Sequence, residues 1–90
     1  MDEKYLFCTD KFCAEDVTMD PGAMSTKHSH STDHMLVAVT DYQLTDVIVG
    51  KPKKVRTKKA GEVEYIPAGI THQLTNTGAA KARFVVIAFK

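Results

Sequence analysis

Four histidines carry most of the chemistry open to this 90-residue chain: His28, His30 and His34 crowd one short stretch, and His72 stands alone. Histidines two apart on a strand project from one face, their α-carbons roughly 6.5 Å apart. Two such imidazoles can converge on one metal ion at about 2.0–2.2 Å per bond. His34 shares that parity, but a straight strand would carry it about 13 Å from His30. It joins the same ion only if Ser31-Thr32-Asp33 turns, and all three of those side chains can hydrogen-bond nearby backbone. From spacing alone, a polar histidine-rich surface loop, with His72 an ordinary structural residue, remains a competing account.

The elements that must position these residues are strands. Helical periodicity is absent, and short segments of β-forming residues recur at close spacing: Tyr5 to Cys8, Ala14 to Met19, a piece around His28 and His30, His34 to Val39, Gln43 to Val49, Val55 to Lys58, Val63 to Ile66, Gln73 to Asn76 and Ala82 to Phe89. Turn chemistry separates them, as in Asp20-Pro21-Gly22, Ala60-Gly61, Pro67-Ala68-Gly69 and Asn76-Thr77-Gly78. The pattern predicts an all-β fold, residues 1–90 forming one domain, built as a sandwich or a closed barrel that limits exposed edges. Met35 to Val39 and Phe84 to Phe89 are apolar on both faces, so each needs a cover on its outer side. A second subunit, giving a homodimer, is the simplest cover. The stretch Tyr5 to Phe12 folding across its own barrel is the alternative.

Charge divides unevenly: residues 1–46 hold 9 acidic and 3 basic side chains, residues 47–90 hold 2 acidic and 9 basic. Complementarity within the fold or between subunits explains this more simply than a nucleic-acid surface. No aromatic residue interleaves the basic cluster Lys51 to Lys59, and alternation places Lys54, Arg56 and Lys58 on one side of a strand, expected to face water. No apolar run approaches the roughly 20 residues of a spanning helix, and the acidic start Met1-Asp2-Glu3 does not resemble a signal peptide. A cytoplasmic protein binding neither membrane nor nucleic acid is expected. Cys8 and Cys13 are too few for a disulfide framework; reduced, half-buried thiols are expected, with a local bridge as the alternative.

Two segments carry a family resemblance. Gly22-x5-His28-x-His30-x3-His34 resembles the first cupin motif, and Gly61-x5-Pro67-x-Gly69-x2-His72-x3-Asn76 matches every fixed position of the second. The resemblance runs from Ala14 onward. It implies a double-stranded β-helix, or jelly-roll barrel, holding one divalent transition metal ion per chain (Fe, Mn, Cu, Ni or Zn). His28, His30 and His72 fall on the family's metal-binding histidines. The family's glutamate position holds His34 here, as in a minority of small cupins, which makes His34 the expected fourth ligand. Asp41 replaces the first motif's final glycine. Gly61 would supply a positive φ in a tight turn, and Pro67 with Gly69 the bend that aims His72 inward. Asn76 reads as a hydrogen-bonding turn residue.

Four neutral imidazoles leave an ion's +2 charge unneutralised, which favours anionic ligands. An octahedral ion would keep two adjacent open positions. No general base is evident: Asp33 should face away from the site, and Tyr42, Tyr65 and Glu64 have no assignable place. Met24 and Thr26 share the parity of His28 and read as cavity packing. The expectation is a metalloenzyme acting on a small oxygenated organic molecule, dioxygenase-like or otherwise redox-active. A non-catalytic module binding a small ligand or a metal is the alternative.

Overall fold

The computed structural model describes residues 1–90 as nine strands and no helix: β1 Asp2–Cys8, β2 Phe12–Met19, β3 His28–Ser29, β4 His34–Ala38, β5 Tyr42–Ile48, β6 Lys54–Lys58, β7 Val63–Ile66, β8 Thr71–Asn76 and β9 Ala82–Phe89. They form two antiparallel sheets, a five-stranded one ordered β1-β2-β9-β4-β7 and a four-stranded one ordered β3-β8-β5-β6. Alternation dictates what lies between them. On β5, Tyr42, Leu44 and Asp46 point inward while Gln43 and Val47 are exposed. Leu44, Met19, Ile66 and Phe84, among the most deeply buried side chains, join Leu36 and Leu74 in one core.

The expected turns carry the expected backbone. Gly61 sits at φ 89° in a tight turn closed by Glu62 N–H donating to Lys59 O at 2.9 Å, and Gly69 sits at φ 88° after Pro67-Ala68. Ion pairs join the acidic and basic halves, Arg83 with Asp16 at 2.7 Å and Lys81 with Asp20 at 3.5 Å.

Two expectations are corrected. Cys8 and Cys13 are disulfide-bonded rather than reduced: they are cross-strand partners at the end of the β1–β2 hairpin, Cα atoms 4.0 Å apart. A count of cysteines could not foresee that Thr9, whose Oγ1 accepts from Lys11 and Phe12 N–H, folds the intervening turn so tightly. Arg56 does not share a solvated side with Lys54. It is 6% exposed and points into the barrel, while Val55 faces out at 59%. Buried carboxylates, described below, reverse the expected polarity of that strand.

β1 lies alongside β2 at the edge of the five-stranded sheet and does not cross its outer face. Phe7 packs edge-on against Phe12, and Phe12 against Phe89, covering one end only. Along β4 and β9, Met35, Val37, Val85 and Ile87 remain partly exposed outside.

Candidate metal centre

Register brings the histidines together. His28 on β3 is the direct cross-strand partner of His72 on β8, so both rings leave the same face. His30, just beyond β3, is pinned by backbone bonds to the Pro67–Gly69 bend: its N–H donates to Ile70 O at 3.0 Å, and its carbonyl accepts from Gly69 N–H at 2.8 Å. His34 opens β4 in the opposite sheet.

The Nε2 atoms of His28, His30 and His72 form a triangle: 3.1 Å from His28 to His30, 3.1 Å from His28 to His72 and 2.6 Å from His30 to His72. Two nitrogens bound at about 2.1 Å and at right angles lie about 3.0 Å apart. Two sides of the triangle match that spacing and the third is shorter. His34 is held differently, its Nε2 3.3 Å from His30 Nδ1 and outside the triangle.

The remaining ring nitrogens assign the tautomers. His28 Nδ1–H donates to Thr26 O at 2.7 Å, His72 Nδ1–H to Asp46 Oδ1 at 2.8 Å and His34 Nδ1–H to Thr32 O at 3.0 Å. His34 Nε2 is thereby an acceptor, and His30 Nδ1–H is its donor. All three converging Nε2 atoms carry lone pairs. Neutral nitrogens this close repel one another unless a cation lies among them, so the donor set fits a divalent transition metal.

Behind His72 runs a buried polar chain. Asp46 Oδ2 accepts from Arg56 Nε at 3.0 Å and Nη2 at 2.8 Å, Arg56 Nη1 donates to Glu64, and Tyr42 Oη donates to Glu64 Oε1 at 3.3 Å. All four are buried, Asp46 completely. Burial alone would raise the Asp46 carboxyl, but hydrogen bonds from His72 and Arg56 hold it below the ordinary carboxylate value. Burial and the neighbouring Glu64 push the Tyr42 hydroxyl up.

The triangle opens on a cavity of about 690 Å3 walled by residues including Leu36, Ile66, Leu74, Phe84 and Val86. Thr26 lines it, whereas Met24, 56% exposed, does not. Glu15 lies on the wall with Glu3, and its carboxyl is raised to about 7 by burial and by the hydrogen bond and repulsion of Glu3. Asp33 faces away as expected, accepting from Tyr65 Oη and, at 2.8 Å, from Ala68 N–H.

Across residues 15–88 the chain matches the family model described as "Cupin domain". It is a cupin. A cupin domain of Bordetella pertussis Tohama I superposes with a TM-score of 0.89 at 20% identity, covering 99% of this chain and 92% of that one. An RmlC-like cupin of Methanocaldococcus jannaschii, solved as a double-stranded β-helix, gives 0.82 at 16% identity over 98% and 78%. The polyketide cyclase RemF of Streptomyces resistomycificus gives 0.77 at 20% identity over 97% and 63%. No curated protein matches the chain.

Sequence reasoning missed two groups in this cupin, Asp46 behind His72 and Glu15 on the cavity wall. A signal for Asp46 existed: it shares the inward parity of Tyr42 and Leu44, where a lone carboxylate needs a buried partner. Glu15 carried the same kind of signal, being the one carboxylate on the apolar parity of Cys13, Val17 and Met19.

Proposed function

We propose that this cupin is a metal-dependent enzyme acting on a small oxygenated organic molecule, by dioxygenase-like or other metal-centred redox chemistry. The convergence of three Nε2 lone pairs at the wall of a cavity with one apolar side carries this reading. His28, His30 and His72 would hold one divalent transition metal ion, and His34, its Nε2 free of a proton, would be the fourth ligand. A metal so held acts as a Lewis acid and, if iron or copper, as a redox centre. Neutral ligands favour an anionic oxygen substrate such as an enolate or a singly deprotonated catechol. Leu36, Ile66, Leu74, Phe84 and Val86 offer apolar contact for the rest of such a molecule. Glu15 is placed on the wall to hold or release a proton near neutral pH.

Oxygen consumption by iron- or copper-loaded protein against diketones, catechols and thiols tests this directly. An enolisable polyketone belongs in the same panel, because RemF is a polyketide cyclase and polarising a carbonyl requires no redox step. Tight binding of these compounds without turnover would replace the enzyme by the second reading, a non-catalytic ligand-binding module. That reading draws on the same cavity.

A further inference from the structure

Three formal charges lie sealed beneath the histidines. Asp46 and Arg56 come from β5 and β6 of one sheet and Glu64 from β7 of the other, so the chain of bonds spans the barrel interior. Stability does not explain them. Removing such charges from water is costly, and a well-packed apolar trio often serves a core as well or better. Their arrangement does suit one task. Asp46 spends one oxygen on His72 Nδ1–H and the other on Arg56, so it cannot swing inward to become a ligand itself. Arg56 alone would cancel the charge of Asp46, but Glu64 offsets Arg56, and Tyr42 satisfies the second oxygen of Glu64. One net negative charge therefore remains directly behind His72.

We infer that Asp46, gripped by Arg56 and balanced by Glu64, is a positioning residue of the metal centre. It fixes His72 with its proton on Nδ1 and its lone pair on Nε2, and it supplies from behind the ligand the negative charge that no inner carboxylate provides here. This rests on the metal-binding reading above. A centre built in this way keeps every inner position for imidazole or substrate while its excess positive charge is reduced. It discriminates against dianionic ligands more than four unassisted histidines would.

Cobalt(II) serves as the probe metal and azide as the probe anion. Asp46→Asn keeps the shape and loses the charge, and it should weaken cobalt binding by about 10–100-fold in a chelator competition. Azide should bind the cobalt-loaded Asp46→Asn protein more tightly than the wild type. Glu64→Gln touches no histidine, yet it should also tighten azide, a change that a purely structural role would not produce. Circular dichroism confirms folding. Unchanged cobalt and azide affinities in Asp46→Asn overturn the inference; if that variant does not fold, unchanged azide affinity in Glu64→Gln overturns it. Nitrogen-15 spectra of metal-free wild type need no variant, and a proton on Nε2 of His72 also overturns it. Wild type that binds no cobalt removes the metal-centre reading itself, whereas wild type that binds normally beside unaltered variants removes only the role of Asp46.

Discussion

His30 Nε2 and His72 Nε2 stand 2.6 Å apart, although 42 positions separate them in the chain. Burial, and then the crowding of His34, His72 and His28, lowers His30 to about 4, and burial lowers His34 as well. An ordinary histidine protonates below about 6.5 and ceases to ligate. These two resist protonation, so acid competes with metal at His30 and His34 less than at ordinary histidines, and metal affinity should fall less steeply below about pH 6.5 than in a loop of free histidines. Metal analysis after dialysis across this range checks it. Complete release by about pH 6.5 would contradict the buried, shared site.

The position of His34 gives a sharper test. Alanine at His28, His30 or His72 should abolish stoichiometric metal. His34→Ala should do the same if His34 becomes a ligand. A variant that keeps one ion with affinity lowered about 10–100-fold would instead make His34 only the acceptor for His30 Nδ1–H. Full metal in His72→Ala would return the clustered histidines to the status of a surface loop.

Glu15 should give stability a distinctive pH dependence. Its carboxyl is raised from 4.5 to about 7, so between those values the folded chain binds more protons than the unfolded one. Stability from this group therefore falls as pH climbs through the window and levels off above about 7. Urea midpoints at about pH 5 and pH 8 should differ less in Glu15→Gln than in wild type. Equal pH slopes for the two proteins would exclude the effect.

Reduction of Cys8–Cys13 should weaken the fold without unfolding it. A bridge across so short a loop constrains the unfolded chain by about 2 kcal/mol. Every residue of β1 is exposed, so the loss should appear first as faster hydrogen exchange in β1. Exchange monitored with and without dithiothreitol measures this. Global unfolding on reduction would show the hairpin to be integral to the barrel.

The outer face of β4 and β9 argues for a homodimer, which we propose. Fully burying a side chain such as Met35 or Ile87 contributes about 1.5–3 kcal/mol, and β1 leaves the middle of this face uncovered. Sedimentation equilibrium at micromolar concentration should show twice the 9.9 kDa chain mass, with Ile87→Lys shifting it toward monomer. A wild-type species that stays at 9.9 kDa as concentration rises would sink the dimer.

Strand placement was legible because alternation and turn residues agree along most of the chain: β7 and β9 match the expected Val63 to Ile66 and Ala82 to Phe89 residue for residue. The convergence of His28, His30 and His72 was legible through motif spacing, for which cross-strand register supplies the physical reason. Arg56 was not. Set among lysines it reads as solvated, and the carboxylates that draw it inward, Asp46 and Glu64, lie 10 and 8 positions away on other strands. The direction of His34 Nε2 was equally hidden, since it depends on Thr32 O capturing the opposite ring nitrogen.

The pairing of β2 with β9 sets a condition on how the protein is made. Phe12 to Met19 pair with β1 on one edge and find their partners on the other in Ala82 to Phe89, which also occupy the long edge of β4. While the ribosome is still adding β9, β2 and β4 have no strand between them, and the facing edge of each is unpaired. Closure of the five-stranded sheet must then wait until β9 has been made, and contacts so distant in sequence form slowly. The nascent chain passes through a period in which two unsatisfied strand edges are open to chaperones or to a neighbouring copy.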